Sequence, residues 1–299
     1  MKRVVVLVIL AMAALALGDN FLRARSGSFG VWQFMALRAL FTVPLVLLLA
    51  RLAGRPTRPR SLFWVALRSF LLALALALYF AALGVMTVPM VVAGFYTAPL
   101  FVLLFGRLSG FERIDGLRAF AAVIGFAGVL IALRPGGAGG AAALLPVGGG
   151  LFYGLANLLA RHRCAREGVE VLLAGFFLAL ALIGLAGLGV IAALGIEAPA
   201  GQAGFALRGW VPVTGEILGV TFVHGLVAIF AMILLTRAYL AAPTTLVAPL
   251  EYAMLPLSAL FGLVFGDPPP DGLALLGMAM IVVAGILVVR GGDRGGAKR

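Results

Sequence analysis

Apolar residues run along this chain in ten stretches, and polar residues collect in the short gaps between them. A helix of roughly 20 apolar residues crosses a hydrocarbon core of about 30 Å. Read on that scale, the stretches predict spans at 3–20, 31–50, 62–82, 87–106, 116–133, 142–160, 169–191, 211–235, 243–265 and 271–289. The third and fourth are separated only by GVMTVP, an uncharged turn that Gly84 and Pro89 favour. Residues 4–17 have the apolar run of a secretory leader, but further spans follow at once and no cleavage signal closes it, so the run reads as a first membrane helix.

Composition turns this pattern into a statement about solvent. The 299 residues are 63% hydrophobic and 11% charged, against about 45–50% and about 25% in soluble domains. A water-soluble surface has no room for that much Leu, Ala, Val and Phe. Lipid is the expected surrounding, and the predicted fold class is an all-α integral membrane protein. The net charge of +12 does not indicate nucleic acid, because the basic residues stand in short clusters between apolar runs rather than on one domain.

Those clusters also orient the chain. With the N terminus in the cytoplasm, the inward segments hold Lys2, Arg3, Arg51, Arg55, Arg58, Arg60, Arg107, Arg113, Arg118, Arg161, Arg163, Arg166, Arg237, Arg290, Arg294, Lys298 and Arg299. The outward segments hold Arg23, Arg25, Arg134 and Arg208, while Arg38 and Arg68 fall inside spans. This bias predicts an even number of spans, ten, with both termini cytoplasmic in an inner membrane of bacterial type.

An internal repeat follows. DGLRAFAAVIGFAGVLIALRPGG at 115–137 resembles DGLALLGMAMIVVAGILVVRGG from 271, and TVPMVVAGFYTAPLFVLLFG at 87–106 parallels AAPTTLVAPLEYAMLPLSALFG at 241–262. The offset holds five spans, an odd number, so the second copy enters the membrane with reversed orientation. The expectation is two inverted five-helix repeats, 1–137 and 138–299. These residues carry a resemblance: PMVVAGFYTAPLFVLLFGRLSGFER at 89–113, AGVLI at 127–131 and FGDPPPDGLALLGMAMIVVAGILVV at 261–289 are similar to the drug/metabolite transporter superfamily, in particular its EamA-type ten-helix members. Glu112 after Phe111, and Asp267 after Gly266, depart from that pattern where glycine-glutamate is usual. The resemblance implies a transport scaffold whose relatives export amino acids and other metabolites or carry nucleotide sugars, sugar phosphates, riboflavin or S-adenosylmethionine.

Polar residues inside the spans are the candidates for chemistry, because each costs free energy in hydrocarbon. Glu251 lies near half depth in the ninth expected span, where it is a coupling group, a ligand for a cationic solute, or a structural hydrogen-bonding group. Pro249 and Pro256 beside it, and Pro99 on the fourth span, interrupt helical hydrogen bonding and free carbonyls. His224 lies at a similar depth in the eighth span, as a partner for an acid or a satisfied neutral ring. Asp19 and Arg38 form an outer pair, or else a cap and a snorkelling arginine. Arg68 reads as snorkelling toward the cytoplasmic headgroups. Glu216 belongs to the outer mouth or to solvent. Tyr79, Tyr96, Tyr153, Asn157 and Tyr252 offer neutral hydrogen bonds to a cavity or lock helices together. The glycine patches at 125–128, 184–189 and 277–285 allow close helix approach.

The leading function is a secondary transporter moving a small organic metabolite, an amino acid among the candidates and export slightly favoured, by alternating access with proton coupling. An uptake carrier for a nucleoside-like or vitamin-like solute is one alternative, and a membrane enzyme using Glu251 and His224 another. No Walker motif supports ATP drive. Cys164 with His162 is no metal site, and no cofactor is expected. The partners are the small-molecule solute and the bilayer, as a monomer or a homodimer.

Overall fold

The computed structural model describes residues 2–108, 116–134, 140–241, 247 and 250–296. Every regular element among them is helical. In chain order these are α1 (Lys2–Arg25), α2 (Val31–Leu52), α3 (Leu62–Ala82), α4 (Val88–Phe95), α5 (Ala98–Leu108), α6 (Gly116–Leu133), α7 (Leu144–Arg163), α8 (Val169–Leu194), α9 (Gly215–Ala241), α10 (Met254–Val264) and α11 (Gly272–Gly296).

The expected count of ten spans, and the division into two inverted sets of five that depended on it, does not hold. Among the described residues six helices are long and apolar enough to cross a membrane: α1, α2, α3, α7 with the 3₁₀ turn before it, α8 and α9. The other apolar stretches are shorter, among them Phe120–Leu133, Met254–Val264 and Gly272–Leu287. The fourth expected span shows the physical reason. Pro99 has no N–H to continue a helix, and its ring would collide with the carbonyl four residues back, that of Phe95. The chain therefore ends α4 at Phe95, turns through Tyr96 and Thr97, and begins again at Ala98. Thr97 seals the turn by donating its hydroxyl to the Gly94 carbonyl at 2.8 Å. In the ninth expected span, Tyr252 and Ala253 form a turn before α10. Pro256 falls in the first turn of α10, where a missing N–H costs little. Pro249, Pro243 and Glu112 lie outside the described residues.

The helices pack as neighbours α1 with α9, α2 with α8, α3 with α7 and α8, α1 with α10, and α6 with α11. Glycine sets the closest of these approaches. A Cβ on Gly128 of α6 would lie 2.8 Å from the Gly277 carbonyl, and one on Gly277 of α11 would lie 2.5 Å from the Gly128 carbonyl. The two segments that resemble each other in sequence thus meet backbone to backbone. Gly184 lets α8 approach α2 in the same way, its Cβ position 2.6 Å from the Trp32 carbonyl. Outward surfaces carry large apolar side chains such as Leu40, Phe63, Val123, Leu182 and Leu194, as lipid contact requires.

Candidate transport site

On α1 the buried positions Val4, Val8, Ala11, Met12 and Ala16 recur at helical spacing, and the stripe continues onto Asp19. The apolar face therefore delivers a carboxylate to the interior. On α2 the same rule places Arg38 one turn after Phe34 and one before Thr42. On α9, Ile217, Val220, Thr221, Ala228 and Ala231 mark the buried face, and His224 lies on it. Gly18 allows α9 close to α1, since a Cβ there would be 3.1 Å from Val227 Cγ1. Tyr79, near the end of α3, completes the group.

These four side chains are almost wholly enclosed: Asp19 is 5% exposed, Arg38 3%, His224 2% and Tyr79 4%. Tyr79 donates its hydroxyl to Asp19 Oδ2 at 2.7 Å. His224 Nε2 lies 3.1 Å from Asp19 Oδ1, so with an ionised Asp19 the shared proton sits on Nε2. Arg38 does not complete a direct ion pair with Asp19. Its guanidinium carbon instead lies 5.2 Å from the Phe177 ring centroid, 5.6 Å from that of Phe80 and 5.7 Å from that of Phe34. Three ring faces and a nearby carboxylate offset part of the cost of burying the cation.

A second aromatic group adjoins the first. Tyr79 lies 5.2 Å from Phe95, and Phe95 lies 4.8 Å from Tyr153, centroid to centroid. Asn157 lies one turn along α7 from Tyr153. Tyr96, in the α4–α5 turn, donates to the Glu251 backbone carbonyl at 2.8 Å and meets Tyr252 at 4.9 Å. Glu251 is half-buried at the turn before α10. The acid that His224 meets is Asp19. Glu216 pairs with Arg25 at 3.0 Å on the exposed rim.

One end of the bundle is tied shut. Arg23 Nε contacts Asp267 Oδ2 at 3.1 Å, while its Nη1 donates to the Leu83 carbonyl at 2.9 Å and Gln202 Oε1 at 3.1 Å. Arg208 donates to the carbonyls of Ser26 and Phe29, each at 2.9 Å. Gln33 and Val211 bond reciprocally. Arg134 pairs with Asp271 here, and the Ala274 N–H together with Arg134 holds the Asp271 carboxyl below the ordinary aspartate range. The arginines expected outside thus gather at one end. At the other end Arg55 pairs with Glu170, Arg163 stacks on Trp64 at 4.7 Å, and Arg68 donates to the Leu172 carbonyl at 3.1 Å. The Arg23–Asp267–Gln202 hub was not legible beforehand, because its members are loop or helix-end residues with no periodic signal.

An all-α bundle with apolar flanks and six helices long and apolar enough to cross a bilayer among the described residues defines a multi-pass membrane protein. A family model for the EamA-like transporter family matches residues 2–134. A riboflavin transporter from Rhizobium johnstonii is 33% identical over 267 residues, 89% of this chain and 81% of that one. A riboflavin transporter from Vibrio cholerae is 29% identical over 231 residues, covering 76% and 71%. A pseudopaline exporter from Pseudomonas aeruginosa is 25% identical over 294 residues, 97% of each chain. One solved crystal structure aligns over 96% of this chain and 98% of its own with a TM-score of 0.63 at 21% identity, a likeness of fold. The chain belongs to the EamA-like transporter family. It is a secondary transporter that moves a small organic solute across a bacterial inner membrane, and its relatives are transporters rather than enzymes.

Proposed function

We propose that the solute is a flat, vitamin-like heterocycle of the riboflavin class, taken up into the cytoplasm. The observation that carries this reading is the 33% identity to a riboflavin transporter across 89% of the chain. The ring series Tyr79, Phe95 and Tyr153, with Tyr96 and Tyr252 beside it, supports it by offering π faces and hydroxyls to a planar solute. In this reading both termini are cytoplasmic, and the Arg23–Asp267 hub is an outer gate that must open to admit solute. Asp19 and His224 are the coupling pair, one proton moving between them as the gate opens and closes. Tyr79 and Arg38 hold that pair in place, Asn157 orients Tyr153, and Glu216 shapes the outer mouth. Glu251 presents its backbone carbonyl to Tyr96 and its carboxylate to the solute route.

The test is uptake of radiolabelled riboflavin into proteoliposomes containing the purified protein. Saturable uptake that unlabelled riboflavin competes away, and that a pH gradient drives, supports the reading. Absence of riboflavin counterflow overturns it. A second reading, export of a small metabolite such as an amino acid, is favoured by the pseudopaline exporter's similarity over 97% of both chains. The same vesicles preloaded with amino acids decide between the two.

A further inference from the structure

Arg38 and His224 carry hydrogen-bonding atoms that the protein leaves unanswered. Nε and Nη1 of Arg38 and Nδ1 of His224 are buried with no hydrogen-bond partner among the described residues. Asp19 does not reach them: its carboxylate bonds Tyr79 through Oδ2 and meets His224 Nε2 through Oδ1, and no hydrogen bond joins it to Arg38 Nε or Nη1. Phe34, Phe80 and Phe177 give Arg38 only ring faces. Buried donors and acceptors of this kind are rare in a folded protein because each costs free energy. The two residues also share a floor. The His224 ring lies 5.2 Å from Phe34 and 5.7 Å from Phe80, the same rings that Arg38 overlies.

The unanswered atoms have a definite polarity. Arg38 has only donors to give. In the tautomer that donates from Nε2 to Asp19, His224 keeps a lone pair on Nδ1, which accepts. A ligand that satisfies both presents a C=O next to an N–H, the pattern of an imide or lactam edge. Phe80 and Tyr79 connect this edge-reading pair to the second aromatic group, with centroids 5.5 Å apart, and Phe95 continues the series.

We infer that Arg38 and His224 form a recognition subsite for the imide edge of a planar heterocycle, Arg38 donating to a ring carbonyl and His224 Nδ1 accepting the adjacent N–H. This rests on the flavin reading above and adds to it the atoms that choose the solute. Riboflavin carries such an edge at N3. Its 3-methyl derivative keeps the ring system and carbonyls but loses the N–H.

The experiment is equilibrium binding of riboflavin and 3-methylriboflavin to the purified full chain, read by quenching of flavin fluorescence. Methylation removes one hydrogen bond and leaves a buried acceptor unpaired, so affinity in the native protein falls about tenfold or more. In His224→Lys, whose ammonium still donates toward Asp19 but which carries no acceptor, riboflavin binds more weakly and the methylation penalty shrinks to about twofold or less. Arg38→Gln weakens both ligands alike. Equal affinity of the native protein for the two flavins overturns the subsite and leaves flavin transport standing. An unchanged penalty in a folded His224→Lys does the same. Failure of the native protein to bind riboflavin overturns both. The comparison of two ligands on the native chain decides the question even where a variant does not fold.

Discussion

Replacing Asp19 by alanine is the most severe single change the interior predicts. The substitution removes the acceptor of two buried hydrogen bonds, from Tyr79 at 2.7 Å and His224 at 3.1 Å. It also leaves the Arg38 cation, 3% exposed, without a nearby anion. Hydrogen bonds between membrane helices contribute on average about 0.6 and at most about 1.7 kcal/mol, so the two bonds account for about 1–3 kcal/mol. Although Arg38 makes no direct ion pair with Asp19, leaving its buried charge uncompensated adds to that loss and brings the total to about 3–5 kcal/mol. The expected destabilisation of Asp19→Ala is therefore about 3–5 kcal/mol, measured by reversible unfolding in mixed micelles with tryptophan fluorescence. The reasoning makes a sharper demand on the double variant. Asp19→Ala with Arg38→Leu removes the stranded charge as well, and it should recover about 2 kcal/mol or more of the loss. If Asp19→Ala unfolds within about 1 kcal/mol of the native protein, or the double variant loses the sum of both single losses, the charge cluster does not hold the helices as described.

Three further outcomes follow from other parts of the structure. Gly128→Val and Gly277→Val each drive a side chain into the facing backbone of the α6–α11 contact, so each should cost about 3 kcal/mol or more and reduce the yield of folded protein in size-exclusion chromatography. Gly189→Ala, with open space around its Cβ position, should change neither and serves as the control. In a double-mutant cycle, Arg23→Gln and Asp267→Asn should show a coupling of about 0.5–1.5 kcal/mol in the same unfolding assay, because the pair is mostly enclosed and shares its arginine with Leu83 and Gln202. Asp271, whose carboxyl pKa is lowered by the Ala274 N–H and Arg134, stabilises the fold at neutral pH. That contribution fades as pH falls through its lowered pKa, so the stability difference between the native protein and Asp271→Asn should vanish in acid.

Hydropathy foresaw an all-α membrane chain because burial of apolar surface is a property of composition, which needs no geometry. It overcounted spans because it weighs residues and not the continuity of the backbone. Residues 87–106 carry no charge and are mostly apolar, yet Pro99 ends hydrogen bonding from the preceding turn and two helices stand where one was expected. The interruption itself was readable, since proline announces it. Its effect on span count was not, because a proline kinks some helices and divides others according to what packs beside it. Here α7 brings Gly150 against the break, its Cβ position 2.3 Å from Thr97 Oγ1 and 2.8 Å from the Phe95 carbonyl. A side chain at 150 would push the broken backbone away.

The members of the candidate site were legible one by one, and their partners were not. Counting along a helix places a residue on the membrane normal at about 1.5 Å per position. His224 and Glu251 could therefore be matched by depth, and Asp19 could be set near Arg38. Which way each side chain faces around its helix depends on neighbours that are distant in sequence. His224 and Asp19 stand 205 positions apart and meet because Gly18 lets α9 close on α1. The same contact brings His224 Nε2 to the carboxylate. A glycine beside an intramembrane acid is thus a sign that another helix approaches at that level. On the expected spans Asp19 stands one residue from the outer end of 3–20 and His224 near the middle of 211–235, so depth alone pairs His224 with Glu251; the longer α1 (Lys2–Arg25) and its packing against α9 give it Asp19 instead.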